Sequence, residues 1–206
     1  MLSLLMSIQK SKLKVVGIDP SLRNWGLATA TLNLGTKKLT LDKLSVVNPV
    51  LPSGKRVRQN SLDLESAFQL YKETVTATKG ANAVFIEVPV GSQSARAMAS
   101  YGVCVGVLGA LRATGIPFFE VTPTEVKLAG PGMKTATKKQ MISWALHQHP
   151  EGNWPTYTQH SKILVSEAKA EHMADAVASI YAGMASNSFQ QLLAILPTQS
   201  KDKNDN

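Results

Sequence analysis

The sequence has almost no cysteine: Cys104 is the only one. A single cysteine excludes an internal disulfide framework and fits a reducing compartment, where it reads as a small buried hydrophobe. Long apolar runs are also missing. The longest stretch without a charged residue extends from Ala97 to Leu111, short of the roughly 20 residues a helix needs to cross a bilayer. No membrane role and a cytoplasmic location, in a bacterium or a phage-infected host, are therefore expected. The opening from Met1 to Met6 is apolar but has no basic flank or cleavage site, and residues 1–12 read as a leader before the first strand. No internal repeat is visible. Acidic residues are the minority, with 22 lysines and arginines against 14 aspartates and glutamates, a formal charge of +8 and a pI of about 9.6. That balance favours a polyanionic partner, nucleic acid ahead of an anionic membrane surface. With 206 residues and 44% hydrophobic content, residues 13–196 suit one domain burying about 70% of its unfolded surface. Residues 197–206 read as a solvated, disordered tail.

What is present begins with Val15, Val16, Gly17, Ile18 and Asp19, followed by Pro20 and Ser21. Apolar β-branched residues run into a carboxylate, then turn formers lead to a second apolar run near Gly26. The spacing predicts strands over Lys14–Asp19, Gly26–Asn33 and Leu39–Val47, an antiparallel meander. Asp19 alone would be an ordinary turn residue before Pro20. The loop from Pro49 to Gln59 carries Lys55, Arg56 and Arg58, of which Arg56 and Arg58 are candidates for DNA contact. From Ser61, helical spacing of Leu62, Leu64, Phe68, Leu70, Tyr71 and Val75 predicts a helix with an apolar face, closed by Lys79 and Gly80. Ala83, Val84, Phe85 and Ile86 then form a strand expected to be buried on both faces, and Glu87 ends it. A strand-end glutamate is usually just exposed; a second carboxylate in the same situation as Asp19 is more informative.

A helix over about Ser94–Ala113 carries a stripe of small residues, Ala95, Ala99, Gly102, Gly106 and Ala110. Such a stripe admits another backbone closely, either the sheet or a twofold partner. A strand over Pro117–Val121 and a short helix from Thr122 follow. Lys127, Lys134, Lys138 and Lys139 then surround a glycine-punctuated entry into a helix containing Met141, Ile142, Trp144 and Leu146. Lysines at a helix start oppose its dipole, whereas lysines plus free backbone N–H groups suit phosphate. His147 to His160 reads as a loop. Its three histidines, His147, His149 and His160, lack the spacing of a zinc site, and Trp154 and Tyr157 could stack on bases. A last helix begins at Ser166, a favourable N-cap. One stripe of it is apolar, and the opposite stripe places His172 and Asp175 three residues apart on one face.

Gly17-Ile18-Asp19-Pro20-Ser21, Ile86-Glu87 after a buried strand, and His172-Met173-Ala174-Asp175-Ala176 on a late helix resemble the RuvC family of Holliday-junction resolvases, and the compact form with the departures below suggests a phage-type member. Lys127 and Lys138 fall at the spacing of that family's two DNA-contacting lysines. The resemblance covers residues 14–185. It implies an α/β, RNase H-like fold: a mixed five-stranded sheet, three antiparallel strands then two parallel ones, flanked by helices. It also implies a homodimer that binds four-way and branched DNA and cuts two opposed strands. Asp19, Glu87, His172 and Asp175 would be catalytic and would bind two Mg²⁺ ions, with Mn²⁺ able to substitute. Hard oxygen ligands suit Mg²⁺, and paired ions suit phosphodiester hydrolysis. No small-molecule cofactor is implied.

Two departures from the family stand out. Family members often carry an aromatic wedge after the strand-end glutamate, where this chain has Val88, Pro89 and Val90; the 149–166 connection is also long. Both predict activity on several branched DNAs rather than strict four-way-junction selectivity. Three other readings share parts of the pattern: a non-catalytic architectural DNA protein, an actin-like or sugar-kinase ATPase, and an RNA-processing nuclease of the same fold.

Overall fold

The computed structural model describes residues 12–53 and 58–195. Arg56 and Lys55, the leader up to residue 11 and the tail from 196 lie outside them. Three strands, β1 (Lys12–Asp19), β2 (Trp25–Asn33) and β3 (Leu39–Val47), form the antiparallel meander. After helix α1 (Gln59–Thr78), strand β4 (Ala83–Glu87) pairs parallel with β1; after helix α2 (Ala95–Arg112), β5 (Phe118–Val121) pairs parallel with β4. The sheet order is β3-β2-β1-β4-β5. This is the α/β, RNase H-like sheet implied by the resemblance.

Side chains alternate across a strand with period two, and that rule sorts the core. Val16, Ile18, Val84 and Ile86 face Leu70 of α1 and Cys104, Val107, Leu108 and Leu111 of α2. Val15, Ala83 and Phe85 face the other way, onto Met173, Ala176, Val177 and Ile180 of helix α5 (Glu167–Ala185). Two shorter helices, α3 (Pro123–Ala129) and α4 (Lys138–Gln148), cover the outside of α5 through Val126, Met141, Ile142 and Ala145. Helix α5 is thus wedged between sheet and helices. Its Ala and Gly content follows, since a helix covered on all sides must be apolar and narrow.

Four expectations need correction. The apolar residues read into α1 divide between two faces: Leu64 is 72% and Phe68 60% exposed, whereas Leu70 is buried. The buried stripe of the helix is Ser66, Leu70, Thr74 and Thr78, whose hydroxyls bond back to the carbonyls of Leu62, Leu70 and Thr74 at 2.9, 2.7 and 2.9 Å. Satisfied in this way, they pack as small apolar groups. The small-residue stripe of α2 does not meet the sheet, because a Cβ at Gly102 or Gly106 would touch nothing. The loop expected from His147 to His160 begins inside α4 and runs into an exposed hairpin, β6 (Thr156–Gln159) with β7 (Lys162–Val165). Finally, α5 is not the last helix. A further one, α6 (Asn187–Ile195), inserts Phe189 against Phe85 and Phe119 at ring-centroid distances of 4.9 and 5.3 Å.

Ser166 stands at the start of α5, but its side chain makes no capping bond; its carbonyl accepts from Lys169 and Ala170 instead. No helix of the described residues is long and apolar enough to cross a membrane.

Candidate active site

Asp19 and Glu87 are brought together by strand register. β1 and β4 run parallel with Ile18 beside Ile86, so the next residues, Asp19 and Glu87, end neighbouring strands about 4.8 Å apart. Period two puts Asp19 on the face of Val15 and Gly17, and Glu87 on the face of Ala83 and Phe85. That is the face covered by α5.

Two glycines let α5 lie close enough to complete the group. A Cβ on Gly17 would fall on the carbonyl oxygen of Ala176, and one on Gly26 would fall on the carbonyl oxygen of His172. With those positions bare, His172 reaches Asp19: Nδ1 donates to Oδ2 at 2.7 Å, the two side chains being 17% and 16% exposed. Asp175 sits one turn further on, half-buried. Gly17 and Gly26 stood in the sequence motif, but nothing in the sequence said which backbone they admit.

The electrostatics are those of crowded acids. Burial, then the charge of Asp19, pushes Glu87 from 4.5 up to about 7, with Lys127 partly opposing. Burial, then Asp19 and Glu87, pushes Asp175 from 3.8 up to about 8. Asp19 is raised by burial, against the hydrogen bond from His172. On His172, burial acts to lower the pKa, but the hydrogen bond and charge of Asp19 outweigh it and the net shift is upward. Both partners are thus shifted upward. Cys104, buried behind Ile18, is pushed up to about 12 by burial and by Asp19, which makes it unreactive.

Of the candidate basic residues, Lys127 is half-buried on α3 and acts on Glu87 and Asp175. Lys138, exposed at the first turn of α4, acts on Asp19 and His172 and pairs with Glu171 at 2.6 Å. Lys134, Lys139 and Arg58 are exposed. The histidines of the long connection do not gather: His147 and His160 are exposed, whereas His149 is buried between Glu151 at 3.0 Å and the Tyr181 hydroxyl at 2.9 Å. Glu171, not foreseen from the sequence, joins the cluster through its charge on Asp19, His172 and Asp175.

As placed, no three His, Cys, Asp or Glu side chains among the described residues close into a metal shell; Asp19 is turned toward His172. The donor chemistry nevertheless fits a hard divalent cation. Three carboxylates that repel one another in a half-buried site are stabilised most directly by positive charge.

A pH prediction follows. The folded state holds protons on Glu87 and Asp175 that the unfolded chain has released above about pH 4.5, so unfolding releases protons and stability falls as pH rises. For Glu87 the loss is about 3 kcal/mol, complete above pH 7; Asp175 extends the window to about pH 8. Thermal melts in chelator should fall from pH 5 to pH 8, and added Mg²⁺ should restore the loss at pH 8. A melting temperature indifferent to both would show that these carboxylates are not buried together.

No protein-family model and no curated protein matches the chain. Solved structures do. Thermus thermophilus RuvC superposes with a TM-score of 0.59 at 19% identity, over 88% of this chain and 97% of that one. The same organism's RuvC in complex with a Holliday junction substrate gives 0.57 at 21%, over 84% and 96%. The yeast mitochondrial Holliday junction resolvase Ydc2 gives 0.51 at 15%, over 90% and 88%. At such identities the shared property is the fold, and in the fold the resemblance read from the sequence is borne out.

Proposed function

We propose that this chain is a metal-dependent, structure-selective endonuclease that resolves Holliday junctions and cleaves other branched DNA. The observation supporting it is that Asp19 and Glu87 end neighbouring parallel strands on the face covered by α5, whose His172 bonds Asp19 and whose Asp175 stands one turn further on. Asp19, Glu87 and Asp175 would hold two Mg²⁺ ions, or Mn²⁺ in their place, with His172 as the fourth ligand. The bound ions would supply an activated water and stabilise the leaving oxygen. The chain's own groups do the rest. The Asp19–His172 bond fixes the imidazole and leaves Nε2 free to bind metal or move a proton. Lys127 and Lys138 flank the acids and would neutralise the phosphates that the cluster alone would repel; Lys134, Lys139 and Arg58 would contact further phosphates of the DNA arms. The RuvC structure in complex with a Holliday junction supports the choice of DNA as substrate.

The test is cleavage of labelled four-way junctions, flaps, forks and plain duplex in Mg²⁺ and in chelator. Paired nicks on opposite strands are expected, together with cutting of several branched forms. Cleavage confined to four-way junctions at one sequence motif would sink the broad selectivity.

Symmetric cutting needs two copies. Helices α1 and α2 leave an open groove of about 550 Å³ lined by Leu64, Ala67, Tyr71, Ala99, Val103 and Gly106. Small residues on α2 and outward apolar ones on α1 suit a second copy across a twofold axis. Leu64→Glu would place a charge in that contact. It should shift the protein to monomer in sedimentation and convert paired nicks into unpaired ones, with the fold unchanged. An unaltered dimer would place the contact elsewhere.

A further inference from the structure

Lys138 and Glu171 make the shortest ion pair near the cluster, 2.6 Å between Nζ and Oε1. The pair is lopsided: the carboxylate is 19% exposed and the ammonium 76%. An ordinary exposed ion pair contributes little to stability, because both ends are mobile and solvated. Here one end is fixed. Glu171 is held by α5 directly before His172, whose ring is bonded to Asp19. Lysine is a flexible four-carbon stem that must lose rotamer freedom to stay in one place. A fourth carboxylate is also costly where three already repel, and Glu171 raises both Asp19 and Asp175 further. Stability alone therefore does not account for it.

We propose that Glu171 is a positioning residue for Lys138. It takes one of the three N–H donors of the ammonium and anchors it beside the Asp19–His172 pair, leaving the other two facing solvent for a DNA phosphate. This rests on the nuclease reading of the same site. Lys127 has no such anchor among the described residues, and its half-buried place on α3 restrains it instead.

The experiment uses wild type, Glu171→Gln, Lys138→Ala and the double variant on a labelled four-way junction. Binding is measured in chelator and single-turnover cleavage in Mg²⁺ at saturating DNA. Glu171→Gln removes a negative charge, so it should bind at least as tightly as wild type, yet cleave roughly tenfold slower or worse because the lysine is no longer held. Glu171→Asp, which keeps the charge, should recover part of the rate. In the Lys138→Ala background the Glu171→Gln change should cost nothing more. Melting curves check that each variant is folded. Wild-type cleavage by Glu171→Gln, or an equal loss with and without Lys138, would overturn the proposal while leaving the nuclease reading intact. No junction binding by any of the proteins would remove both.

Discussion

Asp19→Asn should abolish junction cleavage, by at least about a thousandfold, while leaving junction binding in place. Asp19 stands where all the lines of the site cross. It ends the central strand, bonds His172 at 2.7 Å, and its charge raises both Glu87 and Asp175. Asparagine keeps the size and one acceptor oxygen, so the bond to His172 can survive. It removes the negative charge, and with it an oxygen on which the proposed metal site would depend. The same change relieves repulsion among the acids, so the variant should melt no lower than wild type at pH 8 in chelator. Loss of binding together with cleavage would mean that Asp19 is structural. Binding without cutting by either protein would favour an architectural role or an RNA substrate.

Gly26→Ala should damage both stability and activity although it replaces no ionisable group. The new methyl would meet the main-chain carbonyl of His172, and backbone cannot rotate aside as a side chain can. Forcing α5 away from β2 should cost about 3 kcal/mol. A shift of about 1 Å at His172 should lower the cleavage rate by roughly a hundredfold. Gly109→Ala on α2 is the contrasting change: its Cβ would meet nothing, and alanine in a helix should stabilise by about 1 kcal/mol. Denaturant melts of the two variants should therefore move in opposite directions. A harmless Gly26→Ala would show that α5 is not seated so closely.

How legible the molecule was depended on whether a feature was local. The five strands of the main sheet could be read because β-branched runs and turn residues mark them along the chain. The β6–β7 hairpin escaped because its turn is His160 and Ser161, both with positive φ (48° and 60°), instead of the Asn-Gly or Asp-Gly that usually signals such a turn. Helix α1 showed its position but hid its orientation. Hydroxyl residues that satisfy themselves on the preceding turn can replace apolar ones in a core, and hydropathy does not register that.

The sequence by itself determined the chemistry available: carboxylates at two strand ends, a histidine and an aspartate one turn apart on a late helix, lysines between them, and a basic chain to meet a polyanion. Tertiary structure alone decided who meets whom. Strand register set Asp19 beside Glu87. Bare backbone at Gly17 and Gly26 let a helix more than 150 residues downstream of Asp19 bring His172 within a hydrogen bond of it. Packing of α4 on α5 joined Lys138 to Glu171 beside the acids. Residue type and periodicity are carried along the chain, whereas proximity across such distances exists only once the core has closed.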